Sequence, residues 1–130
     1  MTAAAFGDFS VLVIEDEKFT RMVLAKMLGT LGFKAVHQAE DGESGLAAVA
    51  AHAPDLVLCD VEMQPLDGLG FLKALRASDD ARHRALPVVF MTNRADRERM
   101  AEAAAHGADT FIVKPATPDT LREKLSAKLG

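Results

Sequence analysis

Short apolar runs alternate with longer stretches of helical periodicity along most of the chain. Four of these runs are almost purely apolar and span residues 11–14, 56–59, 88–91 and 111–113, while a fifth, residues 33–39, is more polar. Continuous apolar runs of this length are typical of strands that are buried on both faces, as in a parallel sheet. The pattern therefore predicts five strands.

Helices are predicted between and after these strands. The first carries apolar residues at helical spacing, and Gly32 is a natural place for it to end. Its apolar positions are Phe19, Val23, Leu24, Met27, Leu28 and Leu31. Further helices are predicted from Asp41-Gly42 onward, over residues 67–77 and over about residues 95–106. A fifth begins at Thr117-Pro118-Asp119, which supplies a cap, a first-turn proline and an acid at the positive end of the helix dipole.

The alternation of strand and helix, repeated five times, predicts an α/β fold with a doubly wound sheet. Right-handed crossovers would place helices on both faces of that sheet. With 130 residues, the chain has the length of one domain.

Composition narrows the functional classes. Lys and Arg number 15 against 19 Asp and Glu, and the resulting net charge of −4 argues against non-specific binding of nucleic acid. No apolar run approaches the roughly 18 residues of a membrane span, and residues 1–9 lack the features of a signal peptide. Cys59 is the sole cysteine, so no intramolecular disulfide can form, and we expect a cytoplasmic protein.

Polar side chains follow four of the predicted strands. Glu15 and Asp16 follow the first strand, Asp60 the third, Thr92 the fourth and Lys114 the fifth. Parallel strands bring their carboxyl ends to one edge of an open α/β sheet, which is where ligands bind in such folds. We therefore expect these five side chains to converge.

The expected cluster has the parts of a phosphoryl-transfer site. Clustered carboxylates raise one another's pKa, and a hard divalent cation such as Mg²⁺, which takes oxygen ligands, relieves that repulsion. An aspartate can act as a nucleophile and form an aspartyl phosphate. Transfer of a phosphoryl group depends mainly on positioning and electrostatic stabilisation, which a lysine ammonium and a threonine hydroxyl can provide.

These residues, in this order, resemble those of the response-regulator receiver domain, and their layout is closest to single-domain receivers of the chemotaxis CheY type. The motifs that carry the resemblance are Val11-Leu12-Val13-Ile14-Glu15-Asp16-Glu17, Asp60-Val61-Glu62-Met63, Asp67-Gly68, Met91-Thr92 and Lys114-Pro115. The resemblance extends over about residues 10–129 and implies a flavodoxin-like (βα)5 fold with strand order 2-1-3-4-5. A short N-terminal extension, residues 1–9, would precede a receiver domain of residues 10–130.

The resemblance also implies a metal site beside a phosphoacceptor. Asp60 corresponds to the phosphoacceptor, and Mg²⁺ is the implied cofactor. Asp16 corresponds to a direct metal ligand, and Glu15 corresponds to the acid that usually holds the metal through water. Asp60 itself and the backbone carbonyl of Glu62 would complete the protein ligands.

Further residues correspond to those that contact or respond to the phosphoryl group. Thr92 and Lys114 correspond to the side chains that contact its oxygens, and the peptide bond after Lys114 is expected to be cis. Thr92 also corresponds to a switch residue, as does Phe111, which stands where the family has an aromatic switch. Glu62 and Arg94 occupy positions that vary in the family and tune the lifetime of the phosphate.

We therefore expect a stand-alone receiver that accepts a phosphoryl group on Asp60 from a histidine kinase or a histidine phosphotransfer protein. It would catalyse only its own phosphorylation and dephosphorylation, and would not be an enzyme in the wider sense. Phosphorylation would switch a protein-binding face, formed by the fourth and fifth strands and helices, that an unidentified downstream protein recognises. Neither nucleic acid nor a membrane is expected as a partner.

Other functions stay open for the same residues. A phosphate sink or a relay intermediate would have the same site. A small phosphatase with an aspartyl nucleophile is a candidate of another class, although it would need a general acid where Glu62 stands, as well as a cap domain. A flavodoxin-like FMN binder would need a hydroxyl- and glycine-rich loop where the chain has the acidic Glu15-Asp16-Glu17.

Overall fold

All five predicted strands are present in the computed structural model, which describes residues 6–61, 67–92, 97–108 and 110–129. They are β1 (Ser10–Ile14), β2 (Ala35–Ala39), β3 (Leu56–Asp60), β4 (Val88–Thr92) and β5 (Thr110–Val113). The helices are α1 (Lys18–Leu31), α2 (Gly42–His52), α3 (Gly68–Arg76), α4 (Ala81–Ala85), α5 (Arg97–Ala105) and α6 (Pro118–Leu129), and a 3-10 turn covers Phe6–Asp8. None of the helices in these described ranges is long and apolar enough to cross a membrane.

The five strands form one parallel sheet in the order β2-β1-β3-β4-β5. This confirms the doubly wound α/β fold and the strand order that the resemblance implies. Strands β1, β3 and β4 are buried along their whole length, whereas β2 and β5 lie at the edges and are partly exposed. The edge position of β2 explains why its sequence is more polar than that of the central strands.

Two apolar layers cover the sheet, one on each face. Successive strand residues point to opposite faces, so Leu12 and Ile14 belong to one layer and Val11 and Val13 to the other. The first layer is completed by residues of α2, α3 and α5, and the second by residues of α1 and α6. The helices predicted on both faces of the sheet are therefore confirmed.

Capping residues explain where α1 begins and ends and where α2 begins. The carboxylate of Glu17 accepts a hydrogen bond of 2.7 Å from the backbone N–H of Thr20, which begins α1. Helix α1 ends at Gly32, whose φ of 105° lies in the left-handed region that favours glycine. Asp41 and Ser44 form a capping box at the start of α2.

The short helix α4 has no counterpart among the predicted elements. Its five residues are too few to show a periodic pattern, and tertiary contacts hold it. The carboxylate of Asp80 accepts from the N–H of Arg82, and Nη1 of Arg76 donates to the carbonyls of His83 and Leu86. Because of α4, the predicted fourth and fifth helices are α5 and α6 of the structure.

The apolar positions of α1 do not all face the core. Leu24 and Leu28 are buried against the sheet, whereas Phe19 is 71% exposed and Val23 is also exposed. Phe19 and Val23 instead line a cavity that also reaches Asp60. The helical spacing is correct, but two of the six apolar positions belong to the surface beside the strand ends.

Candidate functional site

The carboxyl ends of four strands bring the expected polar residues to one edge of the sheet. Glu15, Asp60 and Thr92 are buried, with 2%, 4% and 1% of their surface exposed. Lys114 is half-buried and Asp16 is exposed. Three polar residues in this degree of burial need partners or a ligand. The strand ends therefore place these residues at the same edge of the sheet, as the strand pattern predicts.

The three acids form a compact cluster. One carboxylate oxygen from each of Glu15, Asp16 and Asp60 lies within 4.8 Å of the others. Within the described residues, Oε1 of Glu15 is buried without a hydrogen-bond partner. Burial, followed by the hydrogen bond with Asp16 and the charge of Asp60, raises the pKa of Glu15 to about 7. The cluster therefore disfavours the ionised form of its most buried carboxyl group.

Lys114 is the cation that faces this cluster. Its Nζ lies 2.9 Å from Oδ2 of Asp60 and 4.0 Å from Oε1 of Glu15. The backbone N–H of Lys114 donates to the carbonyl of Thr92 at 2.9 Å, so β5 and β4 hold both residues side by side. The peptide bond between Lys114 and Pro115 is cis, as the resemblance implies.

The first turn of α3 packs directly behind Asp60. The N–H of Gly68 donates to the carbonyl of Val61 at 2.9 Å, and Oδ1 of Asp67 accepts from the N–H of Gly70. A Cβ atom at position 68 would overlap the carbonyl oxygen of Asp60 and would lie 2.8 Å from the ring of Phe90. The Asp67-Gly68 pair is thus a helix start that also supports the backbone of Asp60.

Comparison with known proteins agrees with this geometry. A family model for the response regulator receiver domain matches residues 11–126. The chain belongs to this family. Chemotaxis protein CheY-3 of Vibrio cholerae is 35% identical over 125 residues, which cover 96% of this chain and 95% of that protein.

Solved receiver structures have the same fold. The CheY4 chemotaxis protein of Vibrio cholerae is 29% identical and superposes with a TM-score of 0.84, covering 94% of this chain and 98% of that one. The receiver domain of NtrX from Brucella abortus is 34% identical, with a TM-score of 0.81 and coverage of 92% and 97%. The chain is therefore similar to receivers along nearly its whole described length.

The acidic pocket of this receiver domain fits Mg²⁺. Receiver domains generally bind Mg²⁺ at such a pocket, and the ion takes oxygen ligands that include one or two carboxylates. Three carboxylates lie within reach of one ion here, and Oε1 of Glu15 is a buried oxygen that a cation would satisfy. Glu62, whose backbone carbonyl the resemblance makes a further ligand, lies outside the described residues.

A residue that the sequence analysis missed supports this acidic pocket. Nη1 of Arg21 donates to the backbone carbonyl of Glu15 at 2.8 Å, from one turn inside α1. The N–H of Glu17 donates to Oε2 of Glu15 at 3.0 Å, and the N–H of Glu15 donates to the carbonyl of Ala39. These bonds fix the turn between β1 and α1. The sequence feature that could have indicated this role is the position of Arg21 shortly after Glu15 and Asp16.

The two residues expected to act as a switch, Thr92 and Phe111, lie on the face of the sheet that α5 covers. The side chains of Thr92 and Phe111 share that face with Phe90, whose ring centroid is 6.3 Å from that of Phe111. Thr92 is buried, whereas Phe111 is only half-buried and packs against the edge of the core. Arg94, the second residue expected to tune phosphate lifetime, lies outside the described residues.

A cavity of about 540 Å³ lies between the acidic pocket and helix α1 of the receiver. Its polar wall includes Asp60 and Lys114, and its apolar wall includes Phe19, Val23 and Met27. The entrance to Asp60 is thus bordered by exposed apolar side chains.

Proposed function

We propose that this receiver accepts a phosphoryl group on Asp60 from a histidine kinase or a histidine phosphotransfer protein, in a reaction that requires Mg²⁺. The observation that carries the proposal is the buried carboxylate of Asp60, which lies 2.9 Å from the ammonium of Lys114 and within the cluster formed with Glu15 and Asp16. A phosphatase or a flavin site is not favoured by any contact within the described residues.

The chemistry of transfer follows from these contacts. A carboxylate oxygen of Asp60 forms a bond to phosphorus while the bond between phosphorus and the donor's imidazole nitrogen breaks, and the electron pair leaves with the imidazole. Bound Mg²⁺ would supply positive charge to the phosphoryl oxygens. The Lys114 ammonium would neutralise a further oxygen, and the Thr92 hydroxyl would donate a hydrogen bond. Glu15 and Asp16 would hold the metal.

Phosphorylation would change the face formed by β4, β5, α5 and α6, which a downstream protein would bind. Thr92 would move toward the phosphoryl group and Phe111 would turn inward, because both share the face covered by α5. The half-exposed position of Phe111 leaves it room for a second rotamer. NMR with and without beryllofluoride checks this step, since chemical-shift changes confined to the metal pocket would contradict it.

A donor protein would reach Asp60 across the apolar border of the entrance. Phe19 is 71% exposed and borders the cavity together with exposed Val23, and adjacent exposed apolar side chains suit a protein contact. This phosphoryl transfer would take place in a reducing cytoplasm, with which the single, buried cysteine, Cys59, is consistent.

Glu62 and Arg94 would set the lifetime of the phosphorylated form. Their opposite charges would pair across the path of the attacking water and slow hydrolysis, and both positions lie outside the described residues. Faster phosphate loss in Arg94→Ala and in Glu62→Asn would support this, and slower loss in both would contradict it.

The decisive experiment is intact-mass measurement after incubation with acetyl phosphate and Mg²⁺. We expect a phosphoryl adduct on the wild type and none on Asp60→Asn, and chelation of the metal should abolish the adduct. Asp119→Asn, which changes an exposed carboxylate of α6, is the matched control and should keep it. An adduct that persists in Asp60→Asn would overturn the proposal. A pull-down with phosphorylated protein distinguishes an output receiver from a phosphate sink or relay intermediate.

A further inference from the structure

Two ion pairs join helix α5 to helix α3. Nη1 of Arg99 lies 3.1 Å from Oδ2 of Asp67, and Nζ of Lys73 lies 2.8 Å from Oε2 of Glu102. Arg99 and Glu102 are three residues apart on α5, so they lie on one side of that helix. We call these four residues the α3–α5 clamp.

Helix α5 has little apolar contact to hold it in place. Among its described residues, Ala103 is the one that is buried. Because apolar burial is the main force that docks a helix, a helix with so little of it is sensitive to the two ion pairs that join it to α3. The hydrogen bond from Lys73 lowers the pKa of Glu102, so this carboxylate stays charged.

The clamp is also connected to the proposed phosphorylation site through Asp67. Asp67 uses one carboxylate oxygen to cap α3 and the other to pair with Arg99. The next residue, Gly68, packs against the carbonyl of Asp60. The position of α5 is thus tied to the turn that supports the proposed phosphoacceptor.

We propose that the α3–α5 clamp holds α5 in its unphosphorylated position and so sets how readily phosphorylation shifts this helix. The proposal rests on the proposed function and adds its regulation. A ligand that binds the shifted state has an apparent affinity reduced by the fraction of molecules in that state. An exposed ion pair changes an equilibrium constant by up to about fivefold. The clamp contains two such pairs, so its loss should strengthen phosphate-mimic binding by about threefold to tenfold.

The double variant Arg99→Gln, Glu102→Gln tests the clamp. Both changes lie on α5, keep its helix propensity and leave the Asp67 cap intact. We expect it to bind beryllofluoride, with Mg²⁺ present, about threefold to tenfold more tightly than the wild type by amide NMR titration. Equal or weaker binding would overturn the proposal.

Two controls separate the clamp from a general loss of charge. Arg122→Gln removes an ion pair with Asp119 inside α6, and it should leave the affinity unchanged. Lys73→Glu alone breaks one pair, so its beryllofluoride affinity should differ from that of the wild type. Adding Glu102→Lys exchanges the two charges of that pair and should restore the wild-type affinity.

Failure of the clamp and failure of the proposed function give different results. If the wild type does not take up beryllofluoride at Asp60, the proposed function fails. If it does and the double variant has the same affinity, only the clamp fails. Amide hydrogen exchange of residues 97–105, measured without any phosphate mimic, tests the clamp without relying on beryllofluoride binding. Exchange several-fold faster in the double variant supports the clamp, and equal exchange contradicts it.

Discussion

The ammonium of Lys114 lies 2.9 Å from Oδ2 of Asp60, across the gap between the ends of β5 and β3. Strand β4 separates these two strands in the sheet, so the long lysine side chain has to reach across the end of β4 to make the contact. In the unphosphorylated protein the lysine offsets part of the negative charge of the acidic cluster. After transfer the same ammonium would face a phosphoryl oxygen.

Replacement of Lys114 should therefore slow phosphorylation more than it weakens metal binding. We expect Lys114→Met to lower the initial rate with acetyl phosphate by about tenfold or more, since a charge-assisted hydrogen bond to the developing charge is lost. Mg²⁺ affinity should stay the same or increase, because a cation beside the metal pocket is removed. Lys34→Met, which changes an exposed lysine before β2, is the control. An unchanged rate in Lys114→Met would contradict the assigned role.

The buried carboxyl of Glu15 predicts how stability depends on pH. Its pKa is raised from 4.5 to about 7, chiefly by burial, so the folded protein binds an extra proton between these values. Without a divalent cation, stability should fall as pH rises from about 4.5 to about 7. Glu15→Gln should lack this fall and be more stable at pH 7.5 by about 1–3 kcal/mol.

Chemical denaturation across this pH range, with chelator and with Mg²⁺, measures the effect. Mg²⁺ should stabilise the wild type clearly more than Glu15→Gln, because only the wild type offers the carboxylate. Glu123→Gln, on an exposed position of α6, should behave like the wild type. A wild type whose stability rises over the same range in chelator would contradict the prediction.

The position of the site could be predicted from the sequence because it depends only on strand direction. Glu15, Asp60, Thr92 and Lys114 each come just after an apolar run, and parallel strands carry such residues to one edge. The burial of Glu15, Asp60 and Thr92 could be anticipated for the same reason. The 2.9 Å contact between Lys114 and Asp60 could not, since it depends on side-chain rotamers and on how far each strand extends.

The sequence pattern could not predict the contacts that side chains of the helices make. Periodicity shows which residues of α1 share a side, but not that Phe19 projects beside the site instead of into the core. In the same way, the sequence places Arg99 in a predicted helix but does not identify its partner. Long charged side chains choose their partners only when the helices are docked, so the pairing of Arg99 with Asp67 needed the structure.

Exposed Phe19 should matter for a protein donor and not for a small one. Phe19→Ala should leave phosphorylation by acetyl phosphate within about twofold of the wild type, because the small donor needs no apolar contact. Transfer from whichever histidine kinase of the source genome phosphorylates the wild type should slow by about tenfold, as expected for loss of an aromatic contact at an interface. Met22→Ala is the control, since Met22 is also exposed on α1 but does not line the cavity. Equal slowing with both donors would place Phe19 in the chemistry instead.

The close approach of α3 to Asp60 predicts a specific effect at Gly68. A Cβ at this position would overlap the carbonyl oxygen of Asp60 and the ring of Phe90, both of which are held in the core. Gly68→Ala should therefore destabilise the protein by about 1–3 kcal/mol. Because relief of the overlap moves the backbone of Asp60, phosphorylation by acetyl phosphate should also slow several-fold under conditions where the variant is fully folded.

Gly29→Ala is the matched control for this substitution. Gly29 lies in α1, and a methyl group added there would meet no neighbouring side chain within 4 Å, so alanine fits without overlap. The substitution should stabilise the helix by about 0.5–1 kcal/mol through its higher propensity, and leave the phosphorylation rate unchanged. Thermal denaturation and the acetyl phosphate assay on both variants separate the two effects. If Gly68→Ala lost stability but kept the wild-type rate, the α3 turn would support the fold without positioning Asp60.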